Sequence, residues 1–260
     1  MNRTLVVLAI MIFFALSILT ACSTGSNIQI NAYDYYTELC LALENPTSLQ
    51  GKINNKVNVK TDDKDIDVIN FTDATQIIHS ENDIKMFSNT SSYVSGFGKN
   101  EATICIKDGW FYKEDAMGIK SKRAFQIGEN NKVVRVDELL PFQFDKSAII
   151  NSSVKNMADG KQLHFALKGS KICDILKERV VDGLNLSGGM RIDGIFSDVD
   201  YTVLLDSDNM PKEMHIIFYM ETEVDGKGAV ASYNMDVADL VYNKTSKIDY
   251  PPDPDEYIEM

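Results

Sequence analysis

"DKSAIINSSVKNMADG", Asp145 to Gly160, decides the class of fold. At a helical period Ile149, Ile150, Val154, Met157 and Ala158 share one face, Asp145 supplies an N-cap, and Gly160 lies just past the end. The stretch therefore predicts a helix. "QLHFALK" after it alternates as a strand, with Leu163, Phe165 and Leu167 on one face. "KICDILKERVVDG" then predicts a second helix, capped by Ser170, carrying Ile172, Ile175, Leu176 and Val180 and ending at Gly183. A Gly-rich connection, "LNLSGGM", follows.

Strand patterns lie on both sides of this pair. Upstream, "NAYDYYTELCLALENP" predicts a helix with Asn31 as cap, Asp34 in the first turn and Asn45-Pro46 as its stop. "KINNKVNVK" from Lys52 places Ile53, Val57 and Val59 on one side and Lys52, Asn54, Lys56, Asn58 and Lys60 on the other, the alternation of a sheet with one wet face. Residues 65–79 and 84–95 continue as strands. "ATICIKDGWFYK" is a hairpin, with Asp108-Gly109 at the turn between Ile104/Ile106 and Trp110/Tyr112.

The last third reads as a meander. "DVDYTVLLD" turns at "SDNMP" into "KEMHIIFYMETE", which turns at Asp225-Gly226 into "AVASYNMDVADLVY". Val199, Tyr201, Val203 and Leu205 share a face; so do Met214, Ile216, Phe218 and Met220, and so do Tyr233, Met235 and Val237. Runs of short-linked strands with segregated helices predict an α+β fold, an antiparallel sheet with helices on one side.

The start of the chain bears on location. One positive charge, Arg3, precedes an apolar run of 15 residues, Leu5 to Leu19. Crossing a bilayer takes about 20, so the run suits a secretory leader. Leu19-Thr20-Ala21-Cys22 resembles the bacterial lipobox. The resemblance implies cleavage before Cys22 and diacylglycerylation of its thiol, an anchor on the outer face of the cell membrane that holds through more than one acyl chain. The expected organisation is a lipoprotein signal peptide at 1–21, a lipidated tether at 22–31, one domain at 32–250 and an acidic, Pro-rich tail at 251–260.

The formal charge of −12 argues against nucleic acid as a partner and against electrostatic adhesion to anionic lipid. Cys40, Cys105 and Cys173 are odd in number, so at least one stays unpaired within the chain; buried thiols and one disulfide both remain open. No H-E-x-x-H, G-x-S-x-G, P-loop or C-x₂-C spacing occurs around His79, His164, His215 or the cysteines, so no catalytic residue, metal or cofactor is expected. "DSDN", Asp206 to Asn209, begins like a calcium loop, but its sixth position is Pro211 and its twelfth Ile217. It predicts a hairpin turn.

The phrase "IKDGWFYKEDAMGIKSK", Ile106 to Lys122, and the closing Tyr242-Asn243, Ile248 and Pro251 resemble uncharacterised Gram-positive lipoproteins of the LolA-like class. That resemblance implies a curved antiparallel half-barrel wrapped around helices, with a concave apolar surface that receives a lipid or other hydrophobic ligand without catalysis. The residues expected on that surface are Leu163, Phe165, Val199, Tyr201, Val203, Met214, Ile216, Phe218, Met220, Tyr233 and Met235. Met and aromatic side chains at such alternating positions are more often plain core. The other expectation is therefore an envelope docking protein with a filled core.

Overall fold

The computed structural model describes residues 31–80, 83–125, 136–183, 194–224, 227–248, 250 and 256–259. The leader, Cys22 and the tether up to Ile30 lie outside the described residues, as do 184–190, the Asp225-Gly226 turn and residues 251–255 of the tail. Asn31 to Met260 make one compact unit.

Thirteen strands join in a single curled sheet. They are β1 (Ser48–Lys60), β2 (Asp65–Ser80), β3 (Asp83–Val94), β4 (Gly98–Lys107), β5 (Trp110–Asp115), β6 (Lys120–Ala124), β7 (Ile149–Met157), β8 (Gly160–Leu167), β9 (Gly194–Phe196), β10 (Val199–Leu205), β11 (Pro211–Val224), β12 (Lys227–Tyr242) and β13 (Ile258–Glu259). The spatial order is β13-β6-β5-β4-β3-β2-β1-β12-β11-β10-β8-β7, with β9 paired to β11. The sheet thus has two halves, β1–β6 and β7–β12, sewn together antiparallel along β1 and β12 from Leu49↔Tyr242 to Lys60↔Val230. β13 runs parallel to β6 and caps that edge.

This overturns the α+β expectation and its half-barrel wrapped around helices. Among the described residues the α-helices are α1 (Ala32–Ala42) and α2 (Cys173–Gly183), 11 residues each, set against thirteen strands. The protein is β-dominated. The decisive stretch, Asp145 to Gly160, is where the expectation failed. Asp145 does cap, accepting from the Ser147 amide at 2.7 Å, but it caps a single 3-10 turn, Lys146–Ala148. The rest is β7, with Val154 opposite Leu163 and Ser152 opposite Phe165. Ile150 and Met157 are 54% and 42% exposed, so the supposed apolar stripe shares no buried face.

Ser170 lies within a 3-10 turn, Gly169–Lys171, ahead of α2 instead of capping it, while at other places local chemistry sets the elements as read. The Asn31 side chain accepts from the Tyr33 amide and starts α1. Asp108 and Gly109, at φ 51 and 78, make the two-residue turn between β4 and β5 that a right-twisted hairpin prefers. The Asp206 carboxylate accepts from the Asp208 and Met210 amides at 2.9 Å, and Asn209 takes φ 60, closing the β10–β11 hairpin. Cys40 and Cys105 are buried free thiols and Cys173 is a partly exposed one.

The end of the chain packs against the sheet rather than trailing from it. Tyr250 donates to the Ile106 carbonyl at 3.2 Å, and the Tyr257 ring meets Tyr112 edge-on at 5.2 Å. Tyr112 pairs with Cys105 on the outer face, where the thiol is only 4% exposed.

Candidate functional site

The inner face of the sheet gathers all eleven side chains expected there. Leu163 and Phe165 come from β8, Val199, Tyr201 and Val203 from β10, Met214, Ile216, Phe218 and Met220 from β11, Tyr233 and Met235 from β12. None is more than 3% exposed, and all belong to one apolar cluster. The register explains the assembly: Tyr201 faces Phe165 and Ile216, Phe218 faces Tyr233, and Met220 faces Ala231, so alternate positions of four strands lie in one layer. Phe218 and Tyr233 stack at 4.7 Å, with Phe196 of β9 at 6.0 Å from Phe218.

What covers this layer is α1 together with Leu139–Phe144, a segment that sequence patterning left unread. Tyr36 of α1 stacks on Phe144 at 4.9 Å and meets Phe165 and Tyr201 edge-on. A loop crossing an interior must satisfy its backbone. Three tyrosine hydroxyls do so here. Tyr242 donates to the Leu139 carbonyl at 2.6 Å, Tyr36 to Phe142 at 2.5 Å and Tyr33 to Phe144 at 3.3 Å. The Tyr36 and Tyr201 hydroxyls lie 3.1 Å apart.

Beside the aromatic layer sits a polar knot, also unanticipated. Arg179 of α2 places Nη1 3.3 Å from Oε1 of Glu138, whose side chain is fully buried. Asn55 of β1 donates to Glu138 Oε2 at 3.1 Å and accepts from the Tyr233 hydroxyl at 3.1 Å. A signal was available. Asn55 falls between Ile53 and Val57 in the inward alternation, and Arg179 continues the α2 stripe of Ile172, Leu176 and Val180.

The electrostatics make these groups poor reagents. Burial, aided by the neighbouring Tyr201, pushes the Tyr36 hydroxyl well above its ordinary value, and burial raises Tyr201 and Tyr242 too. Burial alone would lower Arg179, but Glu138, Tyr233 and Asp137 acting together, with the Glu138 hydrogen bond, outweigh it and raise the guanidinium, which stays charged. Burial lifts the Cys40 thiol to about 11 and, with some help from Glu114, Cys105 to about 12. Near neutral pH the hydroxyls and both thiols are protonated, so none is a ready nucleophile. His164 and His215 lie half-exposed on the outer face beside Asp200 (3.1 Å) and Asp236 (2.7 Å). Among the described residues no three His, Cys, Asp or Glu side chains are grouped to hold a metal ion, and no helix is long and apolar enough to cross a membrane.

No family model and no curated protein matches the chain. Among solved structures it is similar to the crystal structure of a DUF1329 family protein from Desulfovibrio piger, at 9% identity and a TM-score of 0.25, over 83% of this chain and 93% of that one.

Proposed function

We propose that this is a lipid-anchored, extracytoplasmic, non-catalytic protein that binds a lipid or other hydrophobic ligand against the inner face of its curled sheet. The observation that carries the reading is the continuous apolar layer from β8 to β12, covered by α1 and one tyrosine-held segment. Binding sites for apolar ligands are lined this way, with few polar groups. Met214, Met220 and Met235 lie on the layer, and unbranched thioethers reshape around irregular chains at low cost. The lipobox resemblance at Leu19–Cys22 supports the anchor.

Native mass spectrometry with lipid extraction on residues 23–260, which contain the whole compact unit, tests the binding. Lipid near one per protein, lost in Phe218→Asp while a folded β spectrum persists, is the expected result. A clean apo mass that stays apo when membrane lipids are offered defeats it. For the anchor, Cys22→Ala should release the full-length chain from the membrane fraction; continued membrane retention would argue for a spanning anchor instead.

One observation favours a docking role. On the outer face Ile195, Tyr219, Val230 and Ile217 are 74%, 53%, 46% and 41% exposed, and Ile195 and Val230 both pair with Glu221, two residues from Tyr219. A grouped apolar patch of this kind marks interaction surfaces. An apo mass, combined with a membrane partner lost on Tyr219→Ser, would move the assignment there.

A further inference from the structure

On the inner face, beyond the apolar layer, two polar side chains are buried with an atom left unmet. Gln76 of β2 is 1% exposed and Ser88 of β3 is fully buried. Among the described residues Gln76 Nε2 and Ser88 Oγ have no hydrogen-bond partner. The register makes them diagonal neighbours: Gln76 pairs with Met86 and Ser88 with Ala74. Diagonal positions on adjacent strands stand about 7–8 Å apart, within mutual reach of a glutamine and a serine. Both project to the side that Leu49, Ala74, Met86 and Ile104 occupy in the core.

We infer that Gln76 and Ser88 form the polar end of the ligand site and receive the ester carbonyl of a neutral acyl lipid. The inference rests on the inner face being ligand-binding. An amide N–H₂ and a hydroxyl are both donors, and two donors converging from neighbouring strands fit one acceptor oxygen. Buried donors left unmet cost free energy, and such a group in a folded protein calls for an explanation by a ligand or water. The surroundings choose the charge state. Ala74, Met86, Ile104 and Leu49 are apolar, and Arg179, a buried cation of α2, already faces Glu138 at 3.3 Å. A carboxylate placed here would bring an unbalanced charge into apolar surroundings, whereas an ester carbonyl brings none. Ala74, directly opposite Ser88, contributes only a methyl group beside the two donors.

The experiment uses residues 23–260 with three probes, dioleoylglycerol, oleate and squalene, and reads occupancy by native mass spectrometry. The wild type should prefer dioleoylglycerol to the other two. Gln76→Leu with Ser88→Ala should weaken dioleoylglycerol about tenfold, the loss of one or two hydrogen bonds, and leave squalene unchanged. Apo thermal stability should hold or rise, because removing an unmet polar group is not destabilising. Ser88→Ala alone, a smaller change, should move each quantity the same way. Equal dioleoylglycerol binding by wild type and variant would overturn the inference. So would oleate binding as tightly as the ester, a fall in apo stability on Ser88→Ala, or a crystal structure of the dioleoylglycerol complex with only an ordered water at the two donors. A wild type that binds none of the probes would remove the ligand reading itself. Squalene binding without ester preference would remove only this inference.

Discussion

Replacing Arg179 with methionine should be among the most damaging conservative-volume changes in the protein. The guanidinium lies 3.3 Å from a carboxylate whose side chain is fully out of water, and is itself 10% exposed. Breaking a buried pair from one side costs about 3–5 kcal/mol, because the remaining charge keeps its desolvation penalty and loses its compensation. For a unit of this size about 1 kcal/mol shifts Tm by 2–4 °C, so the variant should melt about 6–20 °C lower. Urea unfolding followed by far-UV circular dichroism measures it, and the midpoint should fall with an unchanged m-value. Two further arms sharpen the test. Glu138→Leu together with Arg179→Met removes both charges and should recover most of the loss, leaving a deficit of about 1–3 kcal/mol from the Asn55 amide, whose acceptor is gone. Glu138→Leu alone should lose an amount comparable to Arg179→Met, because it leaves the guanidinium buried without its carboxylate. A single-variant loss below about 1 kcal/mol, or a double variant as unstable as the single, would refute this account.

Two other outcomes follow from positions of close packing. A Cβ on Gly169 would stand 2.0 Å from the Ser197 carbonyl oxygen, so Gly169→Ala should force the backbone apart and cost about 3 kcal/mol, read as a lowered urea midpoint. For the thiols, a folded value above the ordinary 9.0 means that the unfolded chain gives up its proton first. Stability is then intact below about pH 9 and is lost as pH rises towards the folded values of about 11 for Cys40 and 12 for Cys105. Urea midpoints taken between pH 8 and 10.5 should fall, and fall less steeply in Cys40→Ala with Cys105→Ala. At pH 8 a thiol reagent should reach the partly exposed Cys173 well before either buried thiol.

Much of the sheet was legible because strands with one buried face alternate strictly. β8 and β10 follow that pattern, and β11 and β12 do so over most of their length, so the inner layer could be named from it. β7 could not. It is the outermost strand of its half, with neighbours on one side only, so the burial that enforces alternation is weak there and Ile150 and Met157 point to solvent. Their chance spacing with Ile149 and Val154 then matched a helix. For a different reason hydrophobic patterning passed over Asn55 and Arg179, although both sit on inward stripes, and missed Glu138, Gln76 and Ser88. It assigns polar residues to water, whereas Asn55, Glu138 and Arg179 are held inside by partners from strands and helices remote in sequence. Leu139–Phe144 has no periodicity at all. Its course is set by three tyrosine hydroxyls on α1 and β12, which no local window contains.

The seam between β1 and β12 also dictates an order of events during folding. Each half can zip up from neighbours in sequence, hairpin upon hairpin, but the seam joins residues such as Asn55 and Tyr233, 178 positions apart. Closing so long a loop precedes any reward from the contacts it brings, which makes this the slow step. Until β12 is available, β1 presents an open edge with Lys52, Lys56 and Lys60 on its outer side and apolar residues on its inner side. A nascent chain therefore passes through a stage in which two half-sheets exist without their shared core. That stage, more than the finished molecule, is where this sequence is most exposed to mispairing with another copy of itself.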